Sequence, residues 1–398
     1  MKHKIFAVLF VVFLSVMCIS NIISNVNAID EKFGFDGWSL STVKSAILFV
    51  KDSDALNVPF RKQYIEVNGL LHRICDKEYV HDTGRNDVTK LKNGYLAFAA
   101  LEEKSLDSVK AAKYVTEFNE FAKKENIDFL YISAPNKLYK DNPLVKKGVY
   151  PLYGDVTEFL SLIKENGIDC IDMSAEFKNA GIDQYDMYFK TDHHWTAEGA
   201  FFAFQKMCEF MKNEYGYEIG SKFTDINEYT VDTYENYFTG SEGLRTGAIY
   251  CEKDDFSLIY PKFSTKLSIE SWNVSPASQK HTYAEGDFYN TLFDFERFNK
   301  GGSYTYGTYL GSDATLKIIK NLNANTDKKI MLVRDSFGSI FAPYLSLICN
   351  ELYVVDMRYD DSDRNITEYA KELDIDTVIV LYSNNTIMDT DLVLNFNK

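Results

Sequence analysis

The stretch Tyr188-Phe189-Lys190-Thr191-Asp192-His193-His194-Trp195-Thr196-Ala197-Glu198-Gly199-Ala200-Phe201 sets two of the chain's six histidines side by side, next to an acid and a tryptophan. An imidazole within reach of a carboxylate is the base-and-orienter half of a nucleophilic triad, so the nucleophile belongs elsewhere in the chain. Ser336 fits, far downstream in Lys329-Ile330-Met331-Leu332-Val333-Arg334-Asp335-Ser336-Phe337-Gly338-Ser339. There an apolar, strand-like run breaks at Asp-Ser and turns into a helix-like segment. In this assignment Ser336 is the nucleophile and His194 the general base, while Asp192 orients the imidazole and stabilises the imidazolium that forms. The Asp-x-His spacing lets both side chains come from one loop. Acyl transfer also needs donors for an oxyanion, and strand-end position assigns the Ser336 backbone N–H with Asn384 or Arg358 to that role. His193 is read as a neighbour or substrate-facing group, and Asp335 as the acid that holds the nucleophile turn. Adjacent ring ligands on one metal are awkward, so no metal is expected. No P-loop or dinucleotide fingerprint occurs, so no cofactor is expected either. Taken singly, His-His-Trp before a helix and Asp-Ser after a strand are also ordinary structural corners. Together, at the strand ends of one sheet, they favour catalysis.

These residues need a scaffold, and the chain supplies a regular one from about Leu106. Ser108 to Glu125 reads as an amphipathic helix with Val109, Ala112, Val115, Phe118 and Phe121-Ala122 on one stripe. Ile127–Ser133 follows as a buried strand, then a helix over Asp155–Asn166 and a strand over Ile168–Met173. A helix runs from Thr196 to Tyr215, with Thr196 as its N-cap and Glu198 in the first turn. Residues 216–325 break this rhythm. They are rich in Tyr, Gly, Asn and Ser and read as a β-rich insertion over the site. Strands resume at Lys329–Val333, Glu351–Asp356 and Thr377–Tyr382, with helices at Ser339–Cys349 and Thr367–Leu373. Alternating strands and helices predict an α/β fold with a doubly wound parallel sheet, whose ligands bind at the carboxyl ends of strands. Lys137, Ser336, Arg358 and Asn384-Asn385 all fall just beyond strand ends. Residues 29–105 read as an irregular N-terminal extension, with a helical pattern from Arg61 to Cys75 and short strands from Tyr79 to Phe98 around an Asn93-Gly94 turn. The main domain then covers 106–398, with the insertion at about 216–325.

The N-terminus has the layout of a secretory signal over residues 1–28: basic Met1–Lys4, an apolar run from Ile5 to Ser20, and small residues at Val26-Asn27-Ala28. The rival is an uncleaved anchor through residues 5–20. Either way the bulk of the chain is exported, to the cell envelope or outside. Cleavage removes two lysines and no acids, which leaves 41 basic against 58 acidic residues, a net −17. That balance argues against nucleic acid as a partner. Five cysteines would remain, so at least one thiol is unpaired. Cys75 with Cys251 is one pairing the sequence allows, and no spacing resembles a zinc site.

Thr191-Asp192-His193-His194-Trp195-Thr196-Ala197-Glu198-Gly199-Ala200-Phe201 resembles the signature of the DHHW protein family. The likeness continues in Val58-Pro59-Phe60-Arg61, Asn93-Gly94-Tyr95-Leu96, Phe238-Thr239-Gly240-Ser241, Asp335-Ser336-Phe337, Pro343-Tyr344-Leu345 and Val355-Asp356-Met357-Arg358-Tyr359. That family resembles the SGNH-hydrolase-like proteins that O-acetylate exported polysaccharides such as alginate. The resemblance implies a three-layer α/β/α domain with an Asp-x-His pair ahead of the serine, an order permuted relative to ordinary SGNH esterases, as Asp192, His194 and Ser336 have it. It also implies a polysaccharide substrate and a membrane-bound O-acyltransferase partner as acetyl donor. Lys137, in Ala134-Pro135-Asn136-Lys137, resembles a Pro-x-Lys segment of these relatives, and Tyr359 joins Arg358, Asn384 and His193 as a substrate-side candidate. Two departures stand out: Arg334 replaces the glycine of Gly-Asp-Ser, and Asn384 sits in no Gly-x-Asn-Asp block. The expected activity is therefore serine-dependent acetyl transfer to, or removal from, cell-surface carbohydrate. The alternative is a non-catalytic carbohydrate-binding or structural envelope protein on a degenerate scaffold of the same kind.

Overall fold

The computed structural model describes residues 61–397 apart from 83–85, 276–277, 312 and 360–364, with a few residues between 8 and 20 and without the side chains of 273–280. The signal segment, almost whole, the Asp36-Gly37-Trp38 turn and Val58-Pro59-Phe60 lie outside the described residues. Among the described residues no helix is long and apolar enough to cross a membrane.

Eight strands make the central sheet: β4 (Asp128–Ala134), β6 (Asp169–Asp172), β9 (Leu267–Ser275), β10 (Ser278–Gly286), β11 (Leu316–Asn321), β12 (Lys329–Arg334), β13 (Glu351–Val355) and β14 (Thr377–Ser383). Their spatial order is β10-β9-β11-β13-β12-β14-β4-β6. The pairs from β13 through β12, β14 and β4 to β6 are all parallel. Period-two alternation decides which face each strand residue covers. In β12, Ile330 and Leu332 join one core with Ile379 and Leu381 of β14. Met331 and Val333 join the other with Val378 and Val380. The helices Ala197–Glu214 and Gly338–Leu345 cover the first face, and Ser108–Glu125, Thr157–Glu165 and Ile366–Glu372 cover the second. The result is a three-layer α/β/α architecture around a doubly wound sheet. The connection from β12 to β13 crosses on one face and that from β13 to β14 on the other, so the winding direction reverses beside β12. Such a reversal opens a crevice at the carboxyl ends of the strands.

Local chemistry sets the helices. Thr196 Oγ1 accepts the Gly199 N–H at 3.2 Å and starts the helix Ala197–Glu214. Its buried stripe runs through Ala200, Phe204, Met207, Cys208 and Met211 at helical spacing. Asp107 caps Ser108–Glu125 by accepting the Lys110 amide. That helix keeps the predicted ends but turns slightly. Ala111, Ala112, Val115, Phe118 and Ala122 face the core, while Val109 is 68% exposed because it lies off that stripe.

The 216–325 segment, read as a β-rich insertion, supplies strands to the central sheet itself. β11 pairs antiparallel with β13, and β9 and β10 continue the sheet antiparallel beyond it. β7 (Tyr229–Phe238) and β8 (Asp254–Pro261) form a separate antiparallel ribbon. Near the N-terminal side, β1 (Tyr79–Val80), β2 (Asp87–Lys90), β3 (Leu96–Ala100) and β5 (Tyr150–Pro151) form a small sheet. Between β2 and β3, Gly94 takes φ 89° at the Asn-Gly turn, the left-handed conformation glycine tolerates best. Cys75 is exposed and Cys251 buried, each a free thiol rather than a pair, and Cys170, Cys208 and Cys349 are also free.

Trp195 is fully buried, and its indole N–H donates to the Phe337 carbonyl at 3.0 Å, tying the histidine loop to the turn after β12. Replacing Trp195 with Phe leaves that carbonyl without its donor. Urea unfolding should show a loss of about 1–3 kcal/mol, with the transition still cooperative.

Candidate active site

Residues 188–196 form a hairpin-like loop. Tyr188 bridges Trp195, the Phe189 amide donates to His194 O at 3.2 Å, and Thr196 N–H donates to Met187 O at 2.9 Å. The buried Asp254 carboxylate accepts the Lys190 and Thr191 amides at 2.6 and 2.8 Å. This fixes the loop that presents Asp192, His193 and His194 at the carboxyl edge of the sheet.

On that edge three side chains form a hydrogen-bonded line. Asp192 Oδ1 meets His194 Nδ1 at 2.5 Å, and His194 Nε2 meets Ser336 Oγ at 2.6 Å. Asp192 and His194 are buried, and Ser336 is half-buried. Asp192 Oδ1 also accepts the His194 amide at 3.1 Å, and Oδ2 accepts the Ser241 amide at 2.6 Å. Burial works to raise the Asp192 pKa, but His194, His193 and the Ser241 amide together hold it well below the usual carboxylate range. This order of acid, imidazole and hydroxyl can pass the serine proton to the ring while the carboxylate stabilises the resulting imidazolium.

The serine turn is held from below. Asp335 is buried, and its Oδ2 accepts the Ser383 amide at 2.8 Å, the Ser383 hydroxyl at 2.6 Å and the Thr386 hydroxyl at 2.7 Å. Its Oδ1 accepts the Phe337 amide at 2.9 Å. The end of β12 is thereby pinned to the end of β14, the role assigned to Asp335 from its sequence position. Among the described residues no acceptor takes the Ser336 N–H, so this amide is free to meet an oxyanion.

Arg334, where glycine was the expected residue, turns away from Ser336. It is 1% exposed, and its Nη1 donates to Asp313 at 2.8 Å and to the Asp335 carbonyl at 3.2 Å, and pairs with Asp356 at 3.3 Å. Gly338 makes room for it: a Cβ there would sit 2.6 Å from Arg334 Cβ.

The other candidates divide. His193 is part-exposed, its Nδ1 lies 3.0 Å from Ser241 Oγ, and its ring sits 3.8 Å from the His194 ring. Burial and the neighbouring His194 pull its pKa down to about 3, so it is neutral at ordinary pH. Lys137 does not face the reacting atoms. Its ammonium is buried, paired with Glu242 at 2.6 Å and donating to Phe189 O at 3.0 Å, so it braces the histidine loop. Burial raises the Glu242 pKa to about 7, against the pull of Lys137. Arg358 makes a two-pronged contact with Asp356, Nε to Oδ1 at 2.9 Å and Nη2 to Oδ2 at 2.7 Å. Tyr359 is exposed beside it, with Arg358 Cζ 5.5 Å from the ring. Asn384 turns toward β4 and accepts the Ser133 hydroxyl at 3.0 Å. The residue after it, Asn385, lines a small cleft with His193, Asn136 and Tyr153, and its buried Oδ1 has no partner among the described residues. Strand-end position fits either asparagine equally, so the sequence offered no means to choose between them.

Two further contributors escaped sequence reasoning. Gly240 passes so close to Asp192 that a Cβ would lie 2.1 Å from the Asp192 Cβ. Phe98, on β3, packs against His193 with ring centroids 5.3 Å apart. Asp192, His193 and His194 each offer a ligand atom within 4.8 Å of the others. Asp192 and His194 Nδ1 bind each other, however, and His193 Nδ1 meets Ser241, so the cluster reads as a hydrogen-bonded relay.

The three-layer α/β/α architecture around the sheet is SGNH-hydrolase-like in fold. Residues 98–234 match the SGNH hydrolase-like domain of the acetyltransferase AlgX, and residues 173–355 match the DHHW protein family. The second match contains both the histidine loop and Ser336, and the resemblance read in the sequence is borne out. Among solved structures, PatB1 from Bacillus cereus, determined with a sulfonyl adduct, superposes with a TM-score of 0.62 at 18% identity, covering 80% of this chain and 100% of that one. A DHHW family protein from Eubacterium siraeum gives 0.59 at 19% identity, covering 80% and 97%. At such identities the likeness is one of fold. Comparison with curated protein sequences gives no significant match.

Two outcomes follow from the Asp192 contacts. Gly240→Ala should displace the carboxylate and slow the reaction of Ser336 with a fluorophosphonate by about tenfold or more, measured as labelling rate against wild type. A carboxylate held below its ordinary range contributes stability above about pH 4, which is lost as pH falls toward its folded-state value. The melting temperature should therefore drop on acidification below that point, and Asp192→Asn should flatten that part of the curve.

Proposed function

We propose that this chain is an exported serine-dependent enzyme that transfers acetyl groups to, or removes them from, cell-surface or extracellular polysaccharide. Ser336 Oγ attacks the acetyl carbonyl as His194 takes its proton; His194 then gives that proton to the leaving oxygen, so the donor alcohol departs and an acetyl-serine remains. His194 then removes a proton from the acceptor, a sugar hydroxyl or water, and Ser336 regains its own proton as the acetyl group leaves. The Ser336 amide is the assigned oxyanion donor, and Asn385 is better placed than Asn384 to meet the acceptor. A membrane-bound O-acyltransferase fits the role of acetyl donor.

The observation that carries this reading is the unbroken 2.5 and 2.6 Å line from Asp192 through His194 to Ser336. A degenerate, non-catalytic scaffold has no need to keep that line. The match of residues 98–234 to an acetyltransferase domain supports acetyl as the transferred group.

A chromogenic acetyl ester tests the chemistry. Wild type should release the chromophore, and Ser336→Ala and His194→Ala should each lower turnover by about a thousandfold or more. Failure of wild type to release it, together with no labelling of Ser336 by a fluorophosphonate, would leave the binding-protein alternative standing.

A further inference from the structure

Tyr306 lies in the helical turn Gly302–Thr308, inside the segment between β10 and β11. Its ring lies nearly flat on the His194 imidazole, with centroids 3.8 Å apart and planes 13° from parallel. The His193 ring is equally close to that imidazole, at 3.8 Å and 37°. Two rings this near one imidazole, and not in contact with each other, must take its opposite faces. Phe337 closes a side at 5.0 Å. His194 is therefore sandwiched, with its two nitrogens left pointing at Asp192 and Ser336.

The tyrosine hydroxyl plays no visible part. It is buried and, among the described residues, has no hydrogen-bond partner. A buried hydroxyl without a partner costs free energy, and phenylalanine would fill the same space without that cost. What the contact with His194 requires is the ring.

We propose that Tyr306 is a positioning residue for the general base. Its ring clamps His194 against His193, so that Nδ1 stays on Asp192 and Nε2 on Ser336, and its π face favours the positive charge the imidazole gains during proton transfer. The proposal rests on the reading of His194 and Ser336 as the reacting pair. It also gives the 216–325 segment a part in the chemistry, through one side chain seated on the base.

The test uses Tyr306→Phe and Tyr306→Leu, with Tyr306→Met as a second ring deletion should the leucine variant fail to give a native near-ultraviolet spectrum. The spectroscopic readout is the low-field proton resonance of His194 Nδ1 hydrogen-bonded to Asp192. It should persist in wild type and Tyr306→Phe and broaden away in the ring deletions. With the chromogenic ester, Tyr306→Phe should stay within about twofold of wild type, and the ring deletions should lose about tenfold in kcat with KM little changed. A ring deletion that keeps the low-field line and a kcat within about twofold would overturn the proposal, as would a phenylalanine variant as impaired as leucine. Should wild type turn over no ester at all, the enzyme reading fails separately, and the low-field line alone decides whether Tyr306 holds His194.

Discussion

The site depends on one buried carboxylate. Removing Asp192 from water costs several kcal/mol before any contact is made. It is offset only because the amides of His194 and Ser241 and the His194 ring converge on it, and hydrogen bonds to an ionised oxygen are the strong kind. The donors come from two pieces of the fold: the histidine loop, through the His194 amide and the ring that must be aimed, and the first turn of the helix Ser241–Thr246. Loss of one donor would leave a charge buried with too few partners, so the loop, the helix and the imidazole are held as one unit. Gly240 is part of that unit, since no larger residue lets the backbone approach the carboxylate so closely.

A second carboxylate does the same for the nucleophile. Asp335 ties the end of β12 to Ser383 and Thr386 beyond β14. Trp195 then joins the two halves through its hydrogen bond to Phe337 O. Neither half carries chemistry alone. The 2.6 Å contact between His194 and Ser336 results from two separately braced turns meeting across the sheet edge.

Much of this was legible in the chain because the signals were local. The helix at Ala197 follows from Thr196 as N-cap and its apolar stripe, and β12, β13 and β14 follow from short apolar runs. Asp192, His194 and Ser336 could be named because their types admit few roles and each sits at an element boundary. Where the outcome depended on what lies opposite, the sequence was silent. Lys137 is strand-terminal and basic, as a substrate ligand would be, yet Glu242 waits for it 105 residues away. Arg358 is captured by Asp356 two residues earlier, a contact that depends on how the chain turns after β13. The antiparallel strands β9 and β11 lie in a stretch that reads as a β-rich insertion, with nothing in it to show that its strands join the central sheet. They form because β13 offers an open edge. Tyr306 was one tyrosine among 27, with nothing in its neighbours to single it out.

The place of β14 in the sheet has a consequence for how the molecule comes into being. It is the last strand in sequence among the described residues, and it lies between β12 and β4, near the middle of the sheet rather than at a rim. A nascent polypeptide that has not yet delivered Thr377–Ser383 has two half-sheets and no seam to join them. Asp335 then lacks the groups that pin it, and the serine turn has nothing to lean on. Reactivity is thus deferred until Thr377–Ser383 has joined the sheet, and a chain clipped ahead of it carries the right residues without being able to use them.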